Sequence, residues 1–479
     1  MSGEGSILTA SEHRRPERML AVYLLLGALA VGAFFVIRMI GEQGGGTATA
    51  AAVVEQQPAH APATHVLPHL LGGLIAVIVL ARLLGFVLRY LGQPSVIGEV
   101  IAGIVLGPSI LGRFSPEAVT FLFPPATLPI LSAIAQLGVI LYMFLVGLHL
   151  NAGLLSARAH TTVMISHASI AAPFLLGAIL ALWLFPGFAP AGIPFTSFSL
   201  FLGLAMAITA FPVLARILTD RRMERSELGV VALSCAAADD VTAWCLLALV
   251  VGVAQTDLIG AVTTILLATL YLAAMFWIVR PLLRRWFGSD RETAPRSDVI
   301  AAVLVAVLAS SLLTDLIGIH ALFGAFLLGA IIPHDSKLTH ACQGKLEDVV
   351  TILLMPTFFA YTGTRTQIGL LSEPSDWLIC GIIIVVATVG KLGGTYAAAR
   401  FTGLDWRTSA ALGVLMNTRG LMELIVLNIG LDLGIISPSL FAMMVLMALV
   451  TTIATTPLLN WLAPRELLVN QPRTEPTTA

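Results

Sequence analysis

The chain has 479 residues, of which 57% are hydrophobic and only 11% are charged, and its mean hydropathy is +0.93. This composition excludes an ordinary soluble enzyme, and apolar blocks that recur from end to end predict a polytopic membrane protein. The blocks are near twenty residues long, so we expect an all-α fold rather than a barrel. We expect no catalysed reaction, no cofactor and no nucleic-acid partner.

Fourteen apolar runs predict helices. They lie near 19–40, 68–90, 94–113, 128–150, 160–185, 196–219, 226–254, 256–286, 297–318, 320–335, 345–366, 376–400, 405–431 and 438–462. Threading them from a cytoplasmic N-terminus leaves only Arg38, Arg113 and Arg365 among the basic residues outside. The positive-inside rule therefore favours a cell-membrane protein with a cytoplasmic C-terminus.

The predicted domains are a hydrophobic N-terminal segment with an external linker (1–67), a thirteen-helix body (68–462) and a short cytoplasmic tail (463–479). The first run also resembles a signal peptide because small residues follow it, although its length favours a retained helix. The chain has no G-x-G-x-x-G motif after a strand, so we expect no attached nucleotide-binding domain.

Two predicted helices carry polar or helix-breaking residues in mid-span. Pro212 interrupts 196–219 and frees carbonyls near Ile208 and Thr209, while Asn417 begins a weak point in 405–431. Freed carbonyls and helix ends are ligands for cations. The alternative for either helix is an ordinary kink or a polar packing patch.

Each interrupted helix is the middle of a three-helix unit, and the two units begin seven helices apart. The odd offset predicts inverted repeats whose discontinuous helices cross near the midplane, where secondary transporters bind substrate. The units are 160–185 with 196–219 and 226–254, and 376–400 with 405–431 and 438–462.

Charged residues inside these units are costly in a bilayer and therefore indicate function. Asp239 and Asp240 are adjacent in one apolar span, and Lys391 is the one lysine deep within any predicted span, which makes a carboxylate partner expected. Lys391 has the alternative role of a static ion pair. Arg419 and Glu423, spaced i,i+4, can pair with each other, which favours a structural or gating role.

The segments ITAFPVLARILTDRR, ALSCAAADDVTAWCLLALV, VGKLGGTYAAARFTG and MNTRGLMELIVLNIGLDLGIIS together resemble the monovalent cation/proton antiporter superfamily, in particular its cation/proton antiporter 2 branch. The resemblance covers about 68–462. It implies a dimerisation domain beside a moving transport domain, a homodimer, and exchange of Na⁺ or K⁺ for H⁺. It also implies that Asp240 binds the cation and the proton and that Asp239 pairs with Lys391.

The chemistry agrees with antiport, because a hard monovalent cation prefers oxygen ligands such as Asp240, Asp239 and the Thr209 hydroxyl. Competition between cation and proton for one site suffices for exchange by alternating access. If Asp239 also releases a proton, exchange is electrogenic, which the resemblance favours; if only Asp240 titrates, exchange is electroneutral. Glu99 either sits at a favourable helix start or lines an access funnel.

Two other functions are alternatives. A channel-like K⁺ efflux system would need a filter and a symmetric pore, whereas the chain shows inverted halves with a buried lysine. An intramembrane aspartyl protease would need aspartates that face each other from different helices, whereas these are adjacent in sequence.

Overall fold

The computed structural model describes residues 66–149, 159–223, 226–255, 258–287, 297–318, 320–333 and 336–462, and every regular element in these ranges is helical. The predicted helix at 19–40 and the tail at 463–479 lie outside the described residues. The choice between a retained helix and a signal peptide lies outside them as well.

The helices follow one another with short connections. The first five are α1 (Val66–Tyr90), α2 (Ser95–Leu106), α3 (Leu111–Phe114), α4 (Pro116–Leu122) and α5 (Leu128–His149). The next four are α6 (Ala159–Phe188), α7 (Phe195–Ala207), α8 (Phe211–Asp220) and α9 (Glu227–Gln255). Then come α10 (Leu258–Ala274), α11 (Arg280–Phe287), α12 (Ser297–Ile317), α13 (Ala321–Ile331), α14 (Lys337–Val349) and α15 (Met355–Arg365). The last four are α16 (Pro374–Phe401), α17 (Trp406–Met416), α18 (Leu421–Asp432) and α19 (Pro438–Leu462). Single π-helical segments join α10 to α11 and α14 to α15 without a break.

The predicted runs from 68–90 onward each correspond to helical structure. Within the described ranges, ten helices are long and apolar enough to cross a membrane, or eleven if α17 and α18 form one bent span. The prediction of an all-α multi-pass membrane protein is thus confirmed, while the count of thirteen spans stays a prediction. The run at 320–335 gives only the eleven-residue α13, and the run at 345–366 is the end of a helix that starts at Lys337.

The helices pack into two groups. The crossed-helix unit contains α6–α9 and α16–α19, and the flanking unit contains α1–α5 and α10–α15. Most helix contacts lie within a group, and α19 against α2 is among the few that join them. The two groups are also joined by one buried apolar cluster, to which Met143 of α5 and Phe201 of α7 both belong.

The most extensive contact inside the crossed-helix unit joins the first helices of the two repeats, α6 and α16. A Cβ atom on Gly390 would lie 2.7 Å from Cα of Pro173, and one on Gly394 would lie 2.6 Å from the Ala168 carbonyl oxygen. Only glycine allows this approach at either position. The contact brings Lys391, beside Gly390, into the centre of the unit.

Candidate ion-binding site

The first break lies between α7 and α8. After Ala207 the chain is extended at Ile208 (φ −69°, ψ 137°), and α8 starts at Phe211 with Pro212 in its first turn. Proline is tolerated there because the first-turn N–H groups have no partner within the helix. Pro212 therefore lies at the start of a separate half-helix. The alternative, an ordinary proline kink within one continuous helix, is not what the structure shows.

The second break lies between α17 and α18, whose axes differ by 44°. Asn417 follows the last residue of α17, and Gly420 (φ +157°, ψ −130°) immediately precedes α18. A Cβ atom on Gly420 would lie 2.9 Å from Cγ2 of Val213 on α8. Glycine at 420 thus allows both the unusual backbone conformation and the close approach of the other broken helix.

The two breaks cross each other. The Ala210 N–H donates to the Thr418 carbonyl oxygen (2.9 Å), and Thr209 Oγ1 lies 3.2 Å from the Met416 carbonyl oxygen. The predicted crossing of two discontinuous helices is therefore present. Ends of four half-helices meet at this point, where each exposes backbone groups and a partial charge.

Buried cations cap the end of α7. Arg419 donates from Nη1 to the Ala205 carbonyl oxygen (3.1 Å) and from Nη2 to that of Met206 (2.6 Å), and Lys391 Nζ donates to that of Ala207 (2.6 Å). The protein's own cations thus satisfy the carbonyls of the last turn of α7, as a negative helix end requires. The expectation that freed carbonyls near Ile208 and Thr209 bind the transported ion stays a prediction.

The Asp239 carboxylate is surrounded by donors. Lys391 Nζ lies 3.0 Å from Oδ2, Thr209 Oγ1 lies 2.9 Å from Oδ2, and Ser166 Oγ lies 2.6 Å from Oδ1. Ser169 Oγ lies 2.8 Å from Oδ2 and also 2.8 Å from the Ser166 carbonyl oxygen. Its single proton is better used on the carboxylate, because a hydrogen bond to a charged acceptor is stronger.

Asp240 has the opposite environment. Its side chain is as buried as that of Asp239, each about 1% exposed, and neither of its oxygens has a hydrogen-bond partner among the described residues. Consecutive helical residues point about 100° apart, so the donors around Asp239 do not reach its neighbour. A buried carboxylate without a donor is unfavourable unless it binds a proton or a cation.

Arg419 and Glu423 pair as their spacing predicted, with 3.2 Å between Nη1 and Oε2, and both are fully buried. Thr452 on α19 holds the Arg419 backbone, accepting from its N–H (3.0 Å) and donating to its carbonyl oxygen (2.8 Å). Asn417 Oδ1 and Glu423 Oε1 have no partner among the described residues. Arg419 thus ties the second break to the end of α7.

A cavity of about 790 Å³ leads from one face of the molecule towards the crossing. Arg82, Arg89 and Glu347 line it, as do Glu99 and Tyr142. Glu99 therefore lines the access route, which was one of its two expected positions.

The inner end of this cavity is formed by the first turns of α8 and α18 together with Ala237, one turn before Asp240 on α9. Beyond Asp240, Trp244, Leu247 and Val250 belong to a continuous buried apolar cluster. The cavity thus reaches Ala237, one turn before Asp240, and Trp244, Leu247 and Val250 are buried further along α9.

The structure brings together Asp239, Thr209 and Lys391, but the Thr209 hydroxyl donates to Asp239 rather than to Asp240. The Asp239–Lys391 ion pair is present, and the transport roles of these residues and of Asp240 stay predictions. Sequence reasoning missed Ser166 and Ser169. The available signal was their i,i+3 spacing in the apolar stretch MISHASIAAP, which puts two hydroxyls on one face of α6.

A model of the transmembrane sodium/hydrogen exchanger family matches residues 74–462. The chain belongs to this family. Relatives include the Na⁺/H⁺ antiporter NhaS4 of Synechocystis, 43% identical over 400 residues that cover 82% of this chain and 97% of the relative. The cation/H⁺ antiporter 17 of Arabidopsis thaliana is 40% identical and the K⁺/H⁺ antiporter 1 of Saccharomyces cerevisiae 35% identical, over 83% and 78% of this chain. The chain spans about half of the length of these two relatives, 48% and 44% respectively.

The exchanger fold is also found in a solved structure, that of the sodium proton antiporter MjNhaP1 from Methanocaldococcus jannaschii. It superimposes with a TM-score of 0.60 over 82% of this chain and 99% of that one, at 14% sequence identity. At this identity the likeness concerns the fold.

Proposed function

We propose that the chain exchanges a monovalent cation, Na⁺ or K⁺, for H⁺ across the cell membrane, and that Asp240 is the residue on which the two ions compete. Cation/proton exchange is the activity for which the relatives and the family are named. The observation that favours Asp240 is its buried carboxylate, to which no described residue donates. Transport is then driven by ion gradients, and no bond is hydrolysed.

Asp239 has a different role in this proposal. A carboxylate with an ammonium and three hydroxyls within hydrogen-bond distance has its acceptor positions occupied by the protein's own donors, and in this proposal it keeps them throughout the cycle. The pair of Asp239 and Lys391 therefore contributes no net charge in any step. Asp240 takes one proton or one monovalent cation, and the exchange is one for one and electroneutral.

This stoichiometry departs from the electrogenic exchange that the resemblance favoured. Two protons per cation would require Asp239 to be protonated when Lys391 leaves it. Lys391 also donates to the Ala207 carbonyl oxygen, and leaving would expose that buried carbonyl as well as the carboxylate. The arrangement of donors therefore supports an Asp239–Lys391 ion pair that stays intact throughout the cycle.

In this proposal alternating access uses the two helix groups. In the described conformation the cavity reaches Ala237, one turn before Asp240, from the face on which Arg82 and Arg89 lie, which the positive-inside rule assigns to the cytoplasm along with the C-terminus. Sliding of the crossed-helix unit against the flanking unit would close this cavity and open the buried apolar cluster near Trp244. A site that moves only when it holds a proton or a cation couples the two fluxes.

The deciding experiment compares wild type with Asp240→Asn in acidified proteoliposomes that contain a fluorescent pH indicator. Addition of Na⁺, K⁺ or Li⁺ should release protons from wild-type vesicles for at least one cation, and that response identifies the ion. Asn cannot exchange a proton at this position, so the variant should show only the background of protein-free vesicles. A response that Asp240→Asn retains would move the exchange site elsewhere, and no response of wild type to any of the three cations would contradict antiport of these ions.

A further inference from the structure

A second cavity, of about 510 Å³, lies where the two helix groups meet at the face reached by the access cavity. Arg89 and Gln93 line it from the corner between α1 and α2 of the flanking unit. Arg221, just after α8, lines it from the crossed-helix unit together with Thr456 and Asn460 of α19. A ligand in this cavity would touch both groups.

The lining of this cavity is positively charged. It contains two arginines and no carboxylate, and neither Arg89 nor Arg221 forms an ion pair with a described residue. Arg221 Nη2 donates to the Thr456 carbonyl oxygen (3.2 Å), which fixes the guanidinium at the cavity wall. The Gln93 amide nitrogen already donates to the Ile453 carbonyl oxygen (3.2 Å), so the two guanidinium groups and the Asn460 amide are the donors left for a ligand. This set suits an anion with several acceptor oxygens, above all a phosphate.

The surroundings of the cavity are apolar and aromatic. Tyr90 is 88% exposed, Leu91 63% and Trp461 81%. Each is a sequence neighbour of a residue that lines the cavity, namely Arg89, Gly92 and Asn460 respectively. These side chains lie at the ends of membrane-spanning helices, where tyrosine and tryptophan typically meet lipid headgroups. The phosphate is therefore best supplied by a molecule that is itself in the bilayer.

We propose that this cavity binds the phosphate headgroup of an anionic phospholipid, which bridges Arg89 of the flanking unit and Arg221 of the crossed-helix unit. The proposal does not depend on which residue carries the exchanged ion. Because Arg89 also lines the access cavity, a headgroup held there favours the conformation in which that cavity is open. Lipid composition would then regulate how readily the two helix groups move.

The test uses Trp461 as a reporter next to the lining residue Asn460. The full-length chain is reconstituted in phosphatidylcholine vesicles with increasing mole fractions of brominated phosphatidylglycerol or, in parallel, brominated phosphatidylcholine. The contribution of Trp461 is the difference in quenching between wild type and Trp461→Phe. We expect half-maximal quenching at a lower mole fraction of phosphatidylglycerol than of phosphatidylcholine, by about fivefold for each arginine at low ionic strength.

Three variants separate a site from a general surface attraction. R89Q/R221Q should lose the preference for phosphatidylglycerol, whereas R89K/R221K should keep part of it because the charges remain. Arg222→Gln is the matched control, since Arg222 is exposed at the same helix end but does not line the cavity. Equal quenching by both lipids in wild type, or a preference that R89Q/R221Q retains, would overturn the proposal.

A final arm distinguishes the lipid from a soluble phosphate compound. Inorganic phosphate or glycerol 3-phosphate is added at constant ionic strength to vesicles that contain brominated phosphatidylglycerol. Quenching that stays unchanged at millimolar concentrations supports a bilayer ligand. Displacement of the lipid by either compound would show that a free phosphate is the better ligand and would overturn the assignment to lipid.

Discussion

Asp239 and Asp240 are consecutive residues on α9 and equally buried, but an ammonium and three hydroxyls surround the first carboxylate while no described donor reaches the second. The difference arises from helix geometry. Asp239 faces the seam between α6, α16 and the first break, where Ser166, Thr209 and Lys391 converge. Asp240 is turned about 100° away from that seam.

The comparison separates two kinds of buried charge. Burial alone does not identify an exchange site, because a compensated ion pair can be equally buried. In our proposal, the group that binds and releases an ion is the one whose partner is missing. The predictions below challenge this contrast in order of decreasing expected effect.

The largest effect should come from Asp239→Asn. It leaves the buried Lys391 ammonium without a countercharge, which costs about 3–5 kcal/mol of stability. Asp240→Asn should leave stability unchanged or higher, because it removes a carboxylate that has no donor. Thermal unfolding midpoints of the two purified variants, measured in the same detergent, would contradict the contrast if they fell equally.

The double variant Asp239→Asn with Lys391→Met is the control for that experiment. It removes both charges, so most of the lost stability should return even though the Ala207 carbonyl oxygen loses its donor. It should also retain cation-dependent proton release if Asp239 is a fixed countercharge. Loss of exchange in a stably folded double variant would instead give Asp239 or Lys391 a direct part in transport.

A smaller but still large effect is expected at Arg419. Arg419→Met leaves Glu423 and the carbonyl oxygens of Ala205 and Met206 without their donors, at a cost of about 3 kcal/mol. Arg419→Lys should recover only part of this, because a single ammonium cannot reproduce a planar fork that reaches three acceptors. Equal midpoints for Arg419→Lys and wild type would show that the fork geometry is unimportant.

Much of the fold was accessible from the sequence, since long apolar runs with breaks at Pro212 and Asn417 determine both the spans and the discontinuous helices. How the carbonyls at the end of α7 are capped could not be predicted from the sequence. A proline marks where a new half-helix starts, but the last turn of the preceding helix depends on which side chains are present to cap it. Here Arg419 and Lys391, about 180 to 210 residues away in sequence, cap carbonyls at Ala205, Met206 and Ala207.

The candidate site was partly accessible for a related reason. A pair of aspartates in an apolar span is conspicuous because charge is costly there. Serines such as Ser166 and Ser169 are common in membrane helices, because a serine hydroxyl can donate to a backbone carbonyl oxygen of its own helix. Which aspartate they face depends on the rotation of α6 against α9. The contact of Gly390 with Pro173 determines how α6 packs against α16, the helix that carries Lys391.

The hydroxyl donors should have moderate effects. Ser166→Ala, Ser169→Ala and Thr209→Val each remove one hydrogen bond to a charged group, at about 1.5–3 kcal/mol. Ser169→Ala and Thr209→Val should be milder than Ser166→Ala, because each of their hydroxyls is shared with a carbonyl oxygen. Ser311→Ala is the matched control, since Ser311 is buried with no partner for its hydroxyl among the described residues. A Ser311 variant as destabilised as the Ser166 variant would mean that packing, not donation to Asp239, explains the losses.

The smallest expected effect is the response of transport to membrane potential. If Asp239 stays ionised beside Lys391, one cation leaves for each proton that enters. A membrane potential of either sign, imposed on proteoliposomes by a diffusion potential of an ion other than K⁺, should then leave the exchange equilibrium unchanged. If Asp239 exchanged a proton as well, each cycle would move one net charge, and 100 mV would shift the equilibrium by about 2.3 kcal/mol, close to fiftyfold in the ion gradient. Because zero and fiftyfold are easily distinguished, a clear shift would show that the donors around Asp239 yield during the cycle.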